Sequence, residues 1–292
     1  MSSAYVKPAA IPSDMGGSIV QVDSRLRGVL QLLEKAPLAP GQSVLDVGMG
    51  SGQLSTWLAE KGLRVTGTGL EMESYSTDLA KLQALGVQTV SCYADSMPFE
   101  DASFDIVVMS HVLEHCPNQA LALSEAKRVL KDSGQLLVFV SPYTSAICAG
   151  HVSIGWNVGQ LIYVLLLAGF SVKDGSFIEW SGSVCGFVAK CNGMKLPALR
   201  GDRGDLQILS RAGMLPLHIK SADGFDDGFC GDIGAINWDA AHLEVLTRTS
   251  SRVRRTLSLI ASFLPLRVAF LLFRLSRLIE TSHRVNPPVL TT

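Results

Sequence analysis

The stretch Val44-Leu45-Asp46-Val47-Gly48-Met49-Gly50-Ser51-Gly52-Gln53-Leu54 decides the fold. An apolar run enters three alternate glycines, and a helical pattern follows. Glycine turns through backbone conformations closed to other residues and lets a ligand approach with no Cβ in the way. The helix behind it presents unpaired N–H groups at its first turn. Strand, glycine turn and helix in this order make a nucleotide-type site at the carboxyl end of a first strand.

Outward from this stretch, strands and helices alternate. Ile19, Val22, Leu26, Val29, Leu30 and Leu33 recur at helical spacing, so a helix is expected over 18–35, stopped by Pro37 and Pro40. Strands are expected at 43–47, 64–68, 87–92, 104–109 and 136–140. Helices are expected at 53–61, 76–85, 118–130 and 158–168. Two late strands, 170–180 and 184–191, are joined by Ser181-Gly182-Ser183. Alternation of this kind predicts a mainly parallel sheet with helices on both faces. The short last connection predicts an antiparallel edge, because a parallel pair needs a long crossover.

Composition narrows the class. The chain has 292 residues, 47% hydrophobic, with a formal net charge of −1, which gives no reason to expect nucleic acid as a partner. Of the six cysteines (Cys92, Cys116, Cys148, Cys185, Cys191 and Cys230), no two have Cys-x-x-Cys spacing. Cys185 and Cys191 fall in a strand and read as buried thiols. Residues 1–17 carry one lysine and no apolar run, so a loose segment without an export signal is expected, in a reducing, cytoplasmic setting. Asp223, Asp226, Asp227 and Asp232 lack the spacing of a calcium loop and read as solvated acids; no metal site is expected.

The glycine turn departs from the dinucleotide fingerprint Gly-x-Gly-x-x-Gly, since Gln53 stands at the third position. A carboxylate at Asp46 would also lie near a pyrophosphate, whereas a cofactor bearing an ammonium and a sulfonium is attracted to it. Leu45-Asp46-Val47-Gly48-x-Gly50-x-Gly52 resembles motif I of the class I S-adenosylmethionine-dependent methyltransferases. Further marks follow in order: Arg64-Val65-Thr66-Gly67, Ala94-Asp95-Ser96-Met97-Pro98-Phe99, Phe104-Asp105-Ile106-Val107, His111-Val112-Leu113-Glu114-His115, and Arg128-Val129-Leu130-Lys131-x-x-Gly134.

The resemblance implies a Rossmann-like, mainly parallel seven-stranded α/β sheet and S-adenosylmethionine as cofactor. It places Asp46, Gly48, Met49, Gly50, Gly52, Asp95, Ser96, Met97 and Ser110 at that cofactor, with Asp95 reaching the adenine amino group. The acid that binds the ribose hydroxyls in the family would fall on Gly69, so the role passes to Glu71, with Glu73 beyond it.

Methyl transfer is an in-line displacement, for which the protein supplies approach geometry and, for a weakly acidic acceptor, a base. Histidine suits that task near neutral pH. His115, His111 and His151 are the candidates, the first two just after the fourth strand and the third in the segment after the fifth.

Four regions follow: a flexible 1–17, a cofactor-binding domain over 18–192, a Gly- and Asp-rich region over 193–249 that shapes the acceptor pocket, and a basic arm over 250–292. In the arm, Arg252, Arg254, Arg255, Arg267, Arg274 and Arg277 interrupt an apolar stretch with no acid until Glu280. That pattern predicts a C-terminal helical extension in peripheral contact with an anionic membrane through 250–280. The leading expectation is O-methylation of a small-molecule or glycan- or lipid-linked acceptor near the inner face of the membrane. A quinone-type C- or O-methyltransferase is the alternative. Behind these stand an NAD-dependent oxidoreductase and a non-catalytic scaffold that binds S-adenosylmethionine.

Overall fold

The computed structural model describes residues 24–34, 36–70, 72–143, 150–153, 155–202, 204–216 and 235–237. The loose 1–17, the start of the first helix, Glu71, the acids from Asp223 to Asp232 and the arm 250–292 lie outside the described residues. Among the described residues no helix is long and apolar enough to cross a membrane.

The chain order is α1 (Ser24–Leu33), β1 (Ser43–Val47), α2 (Gln53–Glu60), β2 (Arg64–Gly69), α3 (Leu79–Ala84), β3 (Gln88–Ser91), β4 (Phe104–Ser110), α4 (Gln119–Val129), β5 (Leu130–Val140), α5 (Val158–Leu167), β6 (Phe170–Trp180), β7 (Ser183–Lys190), α6 (Asp205–Arg211) and β8 (Ala235–Ile236). Side-chain caps set the starts of three helices: Asp78, Asn118 and Asn157 accept the N–H of Lys81, Leu121 and Gln160. Each cap satisfies a donor the helix leaves unpaired, worth about 1 kcal/mol.

One sheet runs in the order β3-β2-β1-β4-β5-β7-β6-β8. The first five strands pair in parallel, and β7 is antiparallel to both β5 and β6. The sheet therefore has eight strands where seven were expected, the eighth being the two-residue β8 against β6. The late hairpin supplies the antiparallel side of the sheet that its short turn suggested, with the two-residue β8 beyond it. β7 lies inside the sheet, and β6 carries β8 on its far side. Val184, Cys185 and Val188 of β7 are buried, as expected of a strand covered on both faces. The hairpin turn itself uses Ser181 (φ 49) and Gly182 (φ 77), the pair of left-handed residues that suits strand twist.

Alternation along the strands builds two cores. Leu45, Val47, Val107, Met109, Leu136 and Val138 face α4, α5 and α6. Val44, Ile106, Val108, Leu137 and Phe139 face α1, α2 and α3. Leu209 of α6 and Leu215 join the first core, so part of the Gly- and Asp-rich region packs on the same sheet. β5 starts at Leu130, six residues before the expected strand. The polar Lys131-Asp132-Ser133-Gly134 passes through it as a tight arch, where a Cβ on Gly134 would lie 2.9 Å from both Leu130 Cδ2 and the Lys131 carbonyl.

Chain order reverses between β1 and β4: β2 and β3 extend one way, β5 the other. The crevice at the carboxyl ends of β1 and β4 is thus the switch point where open α/β sheets bind ligands.

Candidate functional site

The glycine turn leaves β1 into this crevice. Gly48, Gly50 and Gly52 have φ of 66, 52 and 76, all in the left-handed region that penalises side chains. Main-chain contacts pin the turn to β2: Met49 N–H donates to the Thr68 carbonyl (2.7 Å), and Gly48 N–H to Thr68 Oγ1 (3.2 Å). A Cβ on Gly48 would meet Val112 at 2.7 Å and one on Gly52 would meet Leu82 at 2.8 Å, but one on Gly50 would meet nothing within 4 Å. Gly50 therefore borders open space, with room beside the turn for a ligand. Met49 turns inward and is buried; a Cβ on Gly67 would collide with its sulfur.

Asp46 is 1% exposed, and its carboxylate accepts the Ser55 hydroxyl of α2 at 2.6 Å. Burial pushes its pKa up to about 7, against the opposing bond from Ser55. A buried carboxylate so poorly compensated attracts a cationic group in the crevice. Acid, open glycine and tight turn together fit S-adenosylmethionine, which bears an ammonium and a sulfonium and carries no phosphate. Glu71 lies outside the described residues.

Asp95 sits half-buried in a turn between Tyr93 and Ser96, which form an isolated bridge. Ser96 is exposed, and the side chain of Met97 is buried in the α4–α5 core. Asp95 and Cys116, at the exit of β4, are electrostatic neighbours, and burial lifts the Cys116 thiol to about 11 with help from that carboxylate. Ser110 ends β4 beside Phe139 of β5.

The three histidines separate into two environments. His111 adopts φ 57 and has both ring nitrogens engaged: Nδ1 with Glu114 Oε1 (3.0 Å) and Ser141 Oγ (3.3 Å), Nε2 with Ser183 Oγ (3.1 Å). It ties the ends of β4, β5 and β7 together. Its partner Glu114 is wholly buried. Oε1 also accepts Ser141 N–H and Oγ–H, while Oε2 has no hydrogen-bond partner. Burial alone would raise the Glu114 pKa, but the His111 and Ser141 bonds outweigh it and hold it below the usual value. The Glu114 carbonyl accepts the N–H of Val152 (2.7 Å) and of Ser153 (3.3 Å), which fixes the segment that carries His151.

His115 is exposed, and His151 packs edge-on to it with ring centroids 4.6 Å apart. His115 Nδ1 lies 2.9 Å from the Gly150 carbonyl. A carbonyl only accepts, so Nδ1 carries the proton and Nε2 is the lone-pair nitrogen of the neutral ring. Tyr143 (70% exposed) and Val152 (60% exposed) stand in the same group of loops, Tyr143 bonded through its N–H to the Trp156 carbonyl. The sequence offers all three histidines as candidate bases. The structure brings His115 and His151 together and puts His111 in a separate buried network.

Similarity to known proteins falls on this same part of the chain. A family model described as a methyltransferase domain matches residues 45–138. The chain is 34% identical over 129 residues to a ubiquinone biosynthesis O-methyltransferase from Idiomarina loihiensis, covering 40% of this chain and 51% of that protein. It is 29% identical over 112 residues to a sterol 4-C-methyltransferase from Caenorhabditis elegans, covering 37% and 34%. The match thus spans about half or less of these relatives' length. Among solved structures, a methyltransferase from Aquifex aeolicus described as dependent on S-adenosylmethionine superposes with TM-score 0.48 at 23% identity, over 57% of this chain and 92% of that one. Residues 45–138 match the model of a methyltransferase domain, and this is the segment that carries the glycine turn, Asp46, Asp95 and the two histidines after β4.

Proposed function

We propose that the protein O-methylates a small-molecule or glycan- or lipid-linked acceptor, with His115 as the base. The observation that carries this reading is the hydrogen bond from His115 Nδ1 to the Gly150 carbonyl, which leaves Nε2 able to take a proton at the rim of the crevice. When bound, S-adenosylmethionine supplies an electrophilic methyl on its sulfonium. The glycine turn and Asp46 hold its amino-acid end, and Asp95 meets the adenine. His151 supports the His115 ring, while Tyr143 and Val152 offer apolar surface to the acceptor.

A quinone-type ring, methylated on oxygen or carbon, is the second reading. It is favoured by the similarity to a ubiquinone biosynthesis O-methyltransferase and by the exposed Tyr143 and Val152. Either acceptor suits a cytoplasmic protein held at an anionic membrane surface by 250–280. The alternation of arginines and apolar residues there supports such contact.

The test incubates the full chain and the His115→Ala variant with methyl-labelled cofactor and fractionated hydroxyl-bearing extracts. Label should pass to an acceptor with the parent chain and fall by about 10²–10⁴-fold with the variant. Binding of S-adenosylhomocysteine without label transfer to any fraction would identify a non-catalytic scaffold instead.

A further inference from the structure

Arg128 and Glu125, one turn apart on α4, have no part in the site described above. Yet both reach across to the loop between β3 and β4, which carries Asp95. Arg128 Nε donates to Glu125 Oε1 (2.7 Å), and Nη2 donates to Glu125 Oε2 (2.8 Å) and to the Met97 carbonyl (3.0 Å). Nη1 donates to the Phe99 carbonyl (2.7 Å) and to Asp101 Oδ1 (2.8 Å). These are the five donors a guanidinium possesses. Glu125 Oε2 in turn accepts Met97 N–H at 2.9 Å. The N–H and the carbonyl of Met97, two residues after Asp95, are therefore both captured by one ion pair.

The loop belongs to no strand. Besides this ion pair it is held by the Tyr93–Ser96 bridge, by the edge-to-face contact of Phe99 with Phe104 (5.2 Å), and at its far end by the N–H groups of Ala102 and Ser103 on the Arg128 and Val129 carbonyls. A half-exposed ion pair contributes little to global stability. Three of the five Arg128 donors reach this loop and the other two hold Glu125, which itself accepts Met97 N–H, an arrangement that makes sense when the position of the loop is what matters. The mutual bonds lower the Glu125 pKa and raise that of Arg128, so both stay charged at any working pH.

We propose that Arg128, braced by Glu125, is the positioning residue that holds the Asp95 turn against the cofactor purine and so sets selectivity for a 6-amino group. The proposal rests on the reading of Asp95 as acceptor of the adenine amino group. Two ligands isolate the effect: S-adenosylhomocysteine, with a 6-amino donor, and S-inosylhomocysteine, with a 6-oxo acceptor that a carboxylate repels. They share ribose and amino-acid ends, so a loss of general order weakens both alike.

Titration calorimetry on the full chain should show the parent preferring the adenosyl ligand by about tenfold to a hundredfold, the value of a hydrogen bond to a charged group. Asp95→Ala should reduce that preference to within about threefold. Arg128→Lys keeps the charge but cannot reproduce the five-donor fork, and it should reduce the preference similarly. Glu125→Gln should do the same and serves if Arg128→Lys does not fold. A preference that survives both α4 substitutions, whatever happens to affinity, would overturn the proposal and leave the pair a structural brace. A preference that survives Asp95→Ala would overturn the reading of Asp95, and the proposal with it.

Discussion

Asp46 offers a prediction whose size follows from its surroundings. The carboxyl is buried, with the Ser55 hydroxyl at 2.6 Å, and burial lifts its pKa from the usual 3.8 to about 7. Each tenfold change in proton affinity is worth about 1.4 kcal/mol, so this rise amounts to about 4 kcal/mol. The folded protein keeps its proton between pH 3.8 and about 7, where the unfolded chain has lost it. Folded stability therefore falls as pH rises through that window and levels off above it. Asp46→Asn retains the shape and removes the ionisation, so it should escape the loss. The variant and the parent should melt alike near pH 4 and diverge as pH rises. At pH 8, without cofactor, the variant should melt higher by up to about 8–16 °C, at about 2–4 °C per kcal/mol for a chain of this size. The same substitution should weaken S-adenosylmethionine binding, because the ionised carboxylate attracts the cationic groups of the cofactor. Parent affinity should accordingly rise from pH 6 to pH 8, with proton release detectable as a buffer-dependent binding enthalpy. A variant that melts no higher than the parent at pH 8 would refute the claim that burial dominates at Asp46.

Other perturbations separate the roles assigned to neighbouring residues. Gly50→Val should abolish cofactor binding in calorimetry while the protein still folds, since its Cβ meets no protein atom and the local cost is the left-handed φ of 52; wild-type affinity would contradict the placement. His111→Ala should lower the melting temperature, because Glu114 and Ser183 lose a buried partner at about 1–3 kcal/mol, whereas His115→Ala should leave melting unchanged and lower kcat. Glu71→Ala should weaken the cofactor by about 1.5–3 kcal/mol; the same loss on Glu73→Ala alone would move the ribose contact by two residues. A chain ending near Ala241 should lose co-sedimentation with anionic liposomes and keep cofactor binding; equal sedimentation of both chains at every salt concentration would remove the membrane role of the arm.

The parts of this fold legible in the sequence are those fixed by local chemistry. β1 and β6 begin and end as read, because glycines punctuate them: Gly48 closes the short β1, and Gly169 and the Ser181-Gly182 turn bound β6. Gly48, Gly50 and Gly52 are legible for a similar reason: a positive φ demands glycine whatever lies elsewhere. The start of β5 was hidden by four polar residues that the strand absorbs as an arch. α6 lay in a region of weak periodicity, where only Asp205 and Leu209 are well buried. That β7 pairs with β5 was invisible because the pairing joins residues about 45–55 positions apart, which the turn before β7 does not encode. At the site, the split between His111 and His115 turns on Ser183 and Gly150, 72 and 35 positions away. Glu114 and Arg128 likewise acquire their roles from partners about 27 or more residues distant, which no local pattern encodes.

The most direct test of the central claim is calorimetric titration of the full chain with S-adenosylhomocysteine and, separately, with NAD. The open glycine turn and the acid at Asp46 predict binding of the sulfur ligand in the micromolar range and no heat from NAD. Tight NAD binding with no response to S-adenosylhomocysteine would contradict the account, because a carboxylate at Asp46 and a glutamine at Gln53 would then be sharing the crevice with a pyrophosphate.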